Sequence, residues 1–388
     1  MSAAATGWRY YNPVRVHFGR GARARLTELG LGDRVLVVTT ARGRRQFEQD
    51  PLLGQLCASI ECVWIDEVET NPGLTELQRS IDRLRDEPFD AVVAFGGGST
   101  VDSAKVLAVA LSPELAGTPL RALLADPALH REARPKPLYA LPTTSGTGSE
   151  VTPYATVWDR EQRKKYSLAG PAAFPYMAIV DPDLTDGLPG AVTLSTGLDA
   201  INQAAEAVWN RNMTPLSEAY SLRALRLGLN ALPRLLADPD DRAARADLAE
   251  SSLLAGLAIS QTKTGLCHSM SYPITAHFGV PHGLACAFTM PAVLRHNLHA
   301  DEGRFNRMAT AVVGEGATLV DLIDCFDVLH ADLRVGAQVR ETIGGFEALL
   351  SLAGEMFTPG RADNNLADVD GPIIEALLRR AWDERYEH

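Results

Sequence analysis

Short apolar runs alternate with amphipathic stretches over the first half of this chain, and this alternation constrains the fold more than any other feature. Short, mostly apolar runs predict buried strands at 34–38, 62–65, 91–95, 138–141 and 178–180. Strands that alternate with helices are typical of a parallel, doubly wound, Rossmann-like α/β sheet. After about residue 190 the strand patterns fade, and Ala- and Leu-rich stretches predict helices at 218–237 and 242–260. The sequence therefore predicts an α/β domain at 1–190 and an all-α domain at 191–388.

The composition excludes several classes of protein. Lys and Arg number 37 against 48 Asp and Glu, a net charge of −11 over 388 residues, whereas a nucleic-acid partner requires a basic face. The five cysteines include no C-x-x-C pair, which fits a reducing compartment better than a disulfide framework. The sequence has neither a signal-peptide pattern at its start nor an apolar run long enough for a membrane span. We therefore expect a cytoplasmic protein without nucleic-acid or membrane partners.

A glycine-rich turn directly follows the strand at 91–95, in the sequence AVVAFGGGSTVDSAK. Gly97 and Gly98 let the backbone turn sharply and approach a ligand, and the N-terminus of the following helix favours an anion. Ser99 and Asp102 have the spacing of a capping box at this helix start. The turn predicts a phosphate-binding loop, although a tight strand-to-helix turn without a ligand would have the same pattern.

A second polar loop, LPTTSGTGSE, follows the next predicted strand. It carries the hydroxyls of Thr143, Thr144 and Thr147 on a flexible backbone, and such donors suit a pyrophosphate or a nicotinamide amide. Loops at the carboxyl ends of neighbouring strands form the crevice in which α/β sheets hold dinucleotides. The two loops together predict a dinucleotide site, and a surface loop rich in Ser and Thr fits this position less well.

Four residues of the helical half have the spacing of a metal site. Asp199 and Gln203 lie four residues apart, which places both side chains on one face of a helix, and His268 and His282 follow in a later segment. A carboxylate and two imidazoles suit Fe²⁺ or Zn²⁺. The other histidines are interpreted as ordinary core or surface residues, since a single His is more often that than a ligand.

The order of motifs resembles a known family, the iron-dependent (group III) alcohol dehydrogenases. The shared motifs are NPG at 71–73, GGGSTVDSAK, PTTSGTGSE, IVDPDLT, TGLDA and a His-rich segment ending in PHG. The resemblance implies a dehydroquinate synthase-like architecture with a dinucleotide-binding N-terminal domain and a metal-binding helical domain. It also implies an oxidoreductase acting on CH–OH groups with NAD or NADP, a divalent metal that is usually Fe²⁺ with Zn²⁺ as an alternative, and a homodimer.

The resemblance assigns metal ligands residue by residue. The first ligand of the family matches Asp199, and the last two match His268 and His282. The second ligand is ordinarily His where this chain has Gln203, whose amide oxygen is neutral and weaker than imidazole for a transition metal. The family often has a second His four residues after His268. Tyr272 stands there instead, either as a proton relay or as an aromatic wall against the nicotinamide.

The resemblance also assigns the cofactor contacts. They are Asn71, Gly97, Gly98, Ser99, Asp102, Thr143, Thr144 and Thr147, together with Lys165 as a contact to the nicotinamide ribose. Lys165 is equally consistent with an exposed basic run that begins at Arg163. Thr40 replaces the carboxylate of NAD-specific members, and Arg42, Arg44 and Arg45 follow it. A missing carboxylate with nearby arginines permits a 2′-phosphate, which favours NADPH without excluding NADH.

The segment before His268 departs from the usual family pattern and bears on the substrate. Lys263 lies five residues before that His, where burial would cost desolvation unless an anion met the ammonium group. The TKT sequence, Tyr272 and Gln203 together resemble one subgroup, the phosphonoacetaldehyde reductases (hydroxyethylphosphonate dehydrogenases) of phosphonate biosynthesis. Lys263 would then bind the phosphonate. A lysine that reaches solvent or pairs with a carboxylate is the alternative interpretation.

Three other functions remain open at this point. A general primary-alcohol dehydrogenase or aldehyde reductase explains every motif except Lys263 and its neighbours. A sister enzyme such as glycerol dehydrogenase or dehydroquinate synthase shares the architecture but would be expected to have different loops around the metal. A non-catalytic module that binds a metal or nucleotide is disfavoured by the intact loops and the three matching ligands.

Overall fold

The computed structural model describes residues 7–162 and 164–383. The strands are β1 (Arg15–Phe18), β2 (Arg34–Val38), β3 (Glu61–Ile65), β4 (Ala91–Gly96), β5 (Leu138–Pro142), β6 (Tyr154–Asp159), β7 (Lys164–Ala169) and β8 (Met177–Val180). The helices between them are α1 (Arg25–Glu28), α2 (Ala41–Gln49), α3 (Leu53–Ser59), α4 (Leu74–Leu84), α5 (Gly98–Ala110) and α6 (Leu120–Ala125). The helices that follow are α7 (Gly190–Val208), α8 (Pro215–Ala237), α9 (Arg242–Thr262), α10 (Leu266–Phe278), α11 (His282–Asn297), α12 (Glu302–Val312), α13 (Leu319–Asp332), α14 (Val335–Ile343), α15 (Phe346–Leu350) and α16 (Gly371–Asp383).

Six of these strands form a parallel sheet in the order β1-β8-β5-β4-β2-β3. Along β2, Leu36 and Val38 belong to one apolar cluster and Val35 and Val37 to another, and all four are buried. Successive side chains of a strand point to opposite faces, so both faces of the sheet are covered. This explains why the central strands are continuous apolar runs, and it confirms the predicted doubly wound α/β class.

All five predicted strands are present, but the sequence prediction missed three others. Strand β1 lies at the edge of the sheet and is mostly exposed, so it lacks the apolar run of a buried strand. Strands β6 and β7 form an antiparallel hairpin in which Tyr154 pairs with Ala169. Buried and half-buried residues alternate along β6, because only one face of this hairpin is covered. A search for continuous buried runs does not detect such a pattern.

The helical part is built around α7. Every residue of α7 from Gly197 to Val208 is buried, and α8, α9 and α11 pack against it. Helix α8 begins with a capping box between Thr214 and Ser217 and has Pro215 at its first position, so the sequence itself fixes where this helix starts. The predicted all-helical second half is confirmed.

Two compact units make up the described chain. One comprises Asn12–Asp186, and the other begins at Gly187 and includes the residues just before Asn12. The functional roles predicted for 1–190 and 191–388 remain proposals. None of the helices in the described ranges is long and apolar enough to cross a membrane.

Candidate functional site

The predicted phosphate loops lie at the carboxyl ends of β4 and β5, which are adjacent in the sheet. The chain runs from β2 outward to β3 at one edge of the sheet and then returns to the other side of β2 to form β4. The order in which strands are added therefore reverses between β2 and β4. Open α/β sheets bind ligands at the carboxyl ends of the strands beside such a reversal. The amide of Thr143 donates to the Gly96 carbonyl at 3.0 Å, which ties the start of one loop to the end of the neighbouring strand.

The two loops approach each other closely at Gly97 and Gly98. A Cβ at Gly98 would lie 2.5 Å from Thr147 Cγ2, and one at Gly97 would lie 3.2 Å from Thr144 Oγ1. Helix α5 begins at Gly98, and Gly97, its N-cap, provides no side-chain hydrogen bond. The predicted capping box is therefore wrong, because Ser99 lies inside the helix. The uncapped amide groups at this helix N-terminus are suited to a pyrophosphate.

Asp102 is bound within the protein. Its two carboxylate oxygens accept from Ser149 Oγ at 2.5 Å and from the Thr156 amide at 2.8 Å. The Lys105 ammonium donates to the same Ser149 hydroxyl at 2.9 Å. Burial raises the pKa of Asp102 above its usual range, although the Lys105 charge and these hydrogen bonds oppose the shift. Asp102 thus joins α5 to the segment that follows the second loop.

The remaining predicted cofactor residues occupy well-defined local positions. Asn71 has a left-handed backbone (φ 59°), and its amide donates to Ser99 Oγ at 3.2 Å. Thr40 caps α2 by accepting from the Gly43 amide at 2.9 Å. Lys165 is half-buried on β7 and pairs in register with Trp158 of β6. Lys165 is therefore a strand residue of the hairpin, and Arg163, at the start of the basic run, lies outside the described residues.

Among the arginines after Thr40, the Arg44 side chain contacts three residues of its own unit. Arg44 donates to Glu48 at 2.9 Å and to Asp66 at 3.0 Å, and its guanidinium carbon lies 4.7 Å from the centre of the Trp64 ring. The side chains of Arg42 and Arg45 are exposed.

In the helical unit, the predicted metal ligands converge. Asp199 and Gln203 lie on α7, His268 lies in the first turn of α10, and His282 is the first residue of α11. Asp199 Oδ1 lies 3.3 Å from His268 Nε2 and 4.0 Å from His282 Nε2. A Cβ at Gly283 would lie only 1.7 Å from the Ser195 carbonyl oxygen, so α11 can meet α7 this closely only with glycine there.

Several buried polar atoms at this site form no hydrogen bond. Asp199 Oδ1, Gln203 Oε1 and His268 Nε2 are buried without a hydrogen bond. Leaving such an atom unsatisfied costs about 1–3 kcal/mol, and here the atoms are gathered around a carboxylate and two imidazoles. Burial opposes the ionisation of Asp199, but the nearby imidazoles of His268 and His282 hold its pKa below the usual range. The donor set therefore fits a divalent cation.

Glu206, which the sequence prediction missed, holds His268 in place. Its Oε2 accepts from His268 Nδ1 at 2.6 Å and from the Gly265 amide at 2.9 Å, and its Oε1 accepts from the His268 amide at 3.1 Å. A carboxylate on Nδ1 leaves Nε2 to face a metal. Glu206 follows Asp199 by seven residues on α7, and this helical spacing could have revealed it.

Cys286 was also missed. Ligand atoms of Asp199, His268, His282 and Cys286 all lie within 4.8 Å of one another. Burial raises the pKa of the Cys286 thiol, but the neighbouring His268 and His282 outweigh it and lower that pKa to about 7. Cys286 follows His282 by four residues, so one face of α11 presents both side chains. That spacing would have revealed it, had the start of α11 been known.

The two predicted substrate residues differ in their surroundings. Tyr272 lies on α10 one turn after His268, and its ring stacks on the His282 ring with centroids 6.1 Å apart. Lys263 is exposed, so the argument from a desolvated ammonium is wrong. Its backbone has φ 62° and ψ 178°, a conformation that almost only glycine adopts and that costs a non-glycine residue about 1–3 kcal/mol. Strain of this kind accumulates at functional sites.

Comparison with known proteins identifies the family. A family model described as iron-containing alcohol dehydrogenase matches residues 13–182, and the C-terminal model of the Fe-containing alcohol dehydrogenase family matches residues 193–382. The chain belongs to the iron-containing alcohol dehydrogenase family. It is an NAD(P)-linked oxidoreductase that acts on CH–OH groups, and the non-catalytic interpretation is set aside.

Individual relatives of the family differ in how much of the chain they match. The 1,3-propanediol dehydrogenase of Klebsiella pneumoniae is 30% identical over 365 residues, which are 91% of this chain and 92% of that protein. The phosphonoacetaldehyde reductase of Streptomyces viridochromogenes is 39% identical over 235 residues, which are 60% of this chain and 58% of that protein. The structure of sulfoacetaldehyde reductase from Bifidobacterium kashiwanohense in complex with NAD+ has a TM-score of 0.87 at 28% identity, covering 98% of this chain and all of that one.

Proposed function

We propose that this iron-containing alcohol dehydrogenase reduces phosphonoacetaldehyde to 2-hydroxyethylphosphonate with NAD(P)H. The observation that carries the proposal is Lys263, an exposed cation held in a strained backbone conformation five residues before His268. Two of the relatives are named for two-carbon aldehydes that bear an anionic group, a phosphonate and a sulfonate. An ammonium group can bind such an anionic group through charge-assisted hydrogen bonds.

The roles of the chain's own residues follow from this proposal. Asp199, His268 and His282 hold the divalent cation, whose chemistry when bound is Lewis-acid polarisation of the carbonyl. The loops after β4 and β5 bind the pyrophosphate of the cofactor that supplies hydride. Lys263 binds the phosphonate and orients the substrate. Tyr272, stacked on His282, carries a hydroxyl that can return a proton to the product oxygen.

We also propose finer properties of the enzyme. Thr40 in place of a carboxylate, with Arg42 and Arg45 exposed, favours NADPH over NADH. The cation is Fe²⁺, with Zn²⁺ as the alternative that the same donors accept. Residues 1–190 bind the dinucleotide and residues 191–388 the metal, in a cytoplasmic homodimer. Kinetics with both cofactors, metal analysis and light scattering test these points.

Steady-state kinetics with phosphonoacetaldehyde, sulfoacetaldehyde and uncharged propanal test the substrate. Removing a charge-assisted hydrogen bond costs about 1.5–3 kcal/mol, so Lys263→Ala should lower kcat/KM for phosphonoacetaldehyde by about 10- to 150-fold. Its kcat/KM for propanal should stay within about twofold of wild type. Lys136→Ala, which removes another exposed lysine, is the matched control.

The second candidate is a general primary-alcohol dehydrogenase or aldehyde reductase. It is favoured by the match to 1,3-propanediol dehydrogenase over 91% of the chain, and by a metal site that needs no anionic substrate. Equal wild-type kcat/KM for phosphonoacetaldehyde and propanal would establish this alternative and refute the proposal. A preference for sulfoacetaldehyde over phosphonoacetaldehyde would keep the role of Lys263 but change the substrate.

A further inference from the structure

The candidate metal site contains one more ligand-type side chain than the sequence predicted. Cys286 is fully buried and its Sγ lies 3.7 Å from His282 Nε2 and 3.8 Å from His282 Nδ1. Ligand atoms of Asp199, His268, His282 and Cys286 all lie within 4.8 Å of one another. Four side chains therefore surround one point, where the sequence suggested three and a glutamine amide.

Two spacings within this cluster are close to those of a tetrahedral site. Metal bonds of about 2.0–2.1 Å to N and O and about 2.3 Å to S give tetrahedral edges of about 3.3 Å between N and O and about 3.6 Å between N and S. The observed separations are 3.3 Å between His268 Nε2 and Asp199 Oδ1, and 3.7 Å between His282 Nε2 and Cys286 Sγ. The 4.0 Å between His282 Nε2 and Asp199 Oδ1 exceeds its edge, and Cys286 Sγ, almost equally far from both nitrogens of His282, lies beside the imidazole ring. Binding of one cation by all four side chains therefore requires the His282 ring to turn.

Gln203 has a different relation to this cluster. It follows Asp199 by four residues on α7, so both side chains share one helix face, and its amide contributes, after His268 and His282, to lowering the pKa of that carboxyl group. An amide oxygen is a neutral, hard donor and replaces an imidazole poorly at a transition-metal site. Gln203 can therefore support Asp199 from outside the coordination sphere, while the fourth ligand comes from another helix.

We propose that Cys286 is a metal ligand of this protein beside Asp199, His268 and His282. The thiolate of Cys286 and the carboxylate of Asp199 together balance the charge of a divalent cation. A thiolate in the ligand set also moves the preference towards Zn²⁺ relative to a set of N and O ligands alone. The proposal rests on the proposed function only in placing a divalent metal at this site.

X-ray absorption of the Zn²⁺-loaded wild-type protein tests the ligand set without any substitution. One sulfur scatterer at about 2.3 Å, in addition to N and O ligands at about 2.0–2.1 Å, is the expected result. A shell of N and O atoms without sulfur would overturn the proposal. Neither result depends on which aldehyde the enzyme reduces, so a failed substrate assay and a failed ligand assignment are distinguishable.

Substitution in the Co²⁺-loaded protein tests the same point independently. The wild-type protein should show a near-ultraviolet sulfur-to-cobalt charge-transfer band that Cys286→Ser abolishes while cobalt remains bound. The band should persist in Gln203→Ala and in Cys325→Ser, which removes a half-buried thiol outside the cluster. A band that survives in Cys286→Ser, or that disappears in Gln203→Ala with cobalt still bound, would contradict the assignment.

Discussion

Replacing Glu206 with Gln tests whether the buried carboxylate behind His268 sets the metal affinity. Glu206 accepts three hydrogen bonds, from His268 Nδ1, the His268 amide and the Gly265 amide. Glutamine has nearly the same shape but only one acceptor oxygen, and its NH₂ group is itself a donor. At least one of the three buried donors must therefore lose its partner in Glu206→Gln.

The size of the effect follows from these contacts. An unsatisfied buried donor costs about 1–3 kcal/mol, which should lower the free energy of unfolding of the metal-free variant by that amount. Loss of the carboxylate also removes the partner that orients the His268 ring. Changes to such supporting groups typically weaken metal binding by about 10- to 100-fold, which corresponds to about 1.4–2.7 kcal/mol.

Chelator competition with Zn²⁺ measures the affinity, and urea unfolding of the metal-free protein measures the stability. Affinity is expressed per folded molecule, so a loss of stability is not counted as a loss of affinity. Glu355→Gln is the matched control, because Glu355 pairs with His277 at 3.1 Å on the exposed surface. We expect it to change neither quantity by more than about 0.5 kcal/mol. A Glu206→Gln affinity within twofold of wild type would refute the role assigned to Glu206.

Three further outcomes are expected. Gly98→Ala should weaken NADPH binding about tenfold in a fluorescence titration, because its Cβ meets Thr147 Cγ2 at 2.5 Å, and Thr147→Ser in the same chain should restore part of the loss. Lys263→Gly should relieve backbone strain and raise the free energy of unfolding by about 1 kcal/mol in urea titrations. It should also abolish the preference for an anionic aldehyde. A Lys263→Gly protein that is less stable than wild type would contradict the strain argument. Burial, with the nearby Arg295 charge, lowers the pKa of His330 to about 3. Between about pH 3 and 6.5 the unfolded chain therefore binds more protons than the folded one, and the free energy of unfolding falls as the pH drops through that range. In His330→Leu the slope of unfolding free energy against pH should therefore decrease by up to about 1.4 kcal/mol per pH unit, and an unchanged slope would show that His330 is not the group responsible.

Most of the sheet could be predicted because its strands are buried on both faces. All residues of β2 after Arg34, and all residues of Ala91–Gly96, are apolar and buried, and this apolar pattern can be read from the sequence alone. The edge strand Arg15–Phe18 gave no such signal, since its side chains face solvent. The β6–β7 hairpin was missed because its alternating pattern indicates a strand clearly only when the pairing strand is also known.

The sequence predicted those site residues that stand in a recognisable motif, and it missed those whose role depends on how the helices pack. His268 and His282 stand in recognisable motifs, and the structure brings them together with Asp199. Glu206 and Cys286 belong to no such motif, and their positions depend on where α7 and α11 begin and how these helices face each other. Lys263 was identified by its charge, whereas its strained backbone is visible only in three dimensions.

The close contact at Gly283 bears on how the protein responds to losing its metal. Because α11 rests on the Ser195 carbonyl, and His282 is the neighbour of Gly283, backbone packing sets the distance between His282 and α7. A zinc finger must fold when its ion binds, and part of the binding free energy is consumed in ordering the chain. This scaffold is preorganised, so we expect cations to be exchanged by dialysis without unfolding. Protein whose metal has been removed by a chelator should bind a cation again without a refolding step.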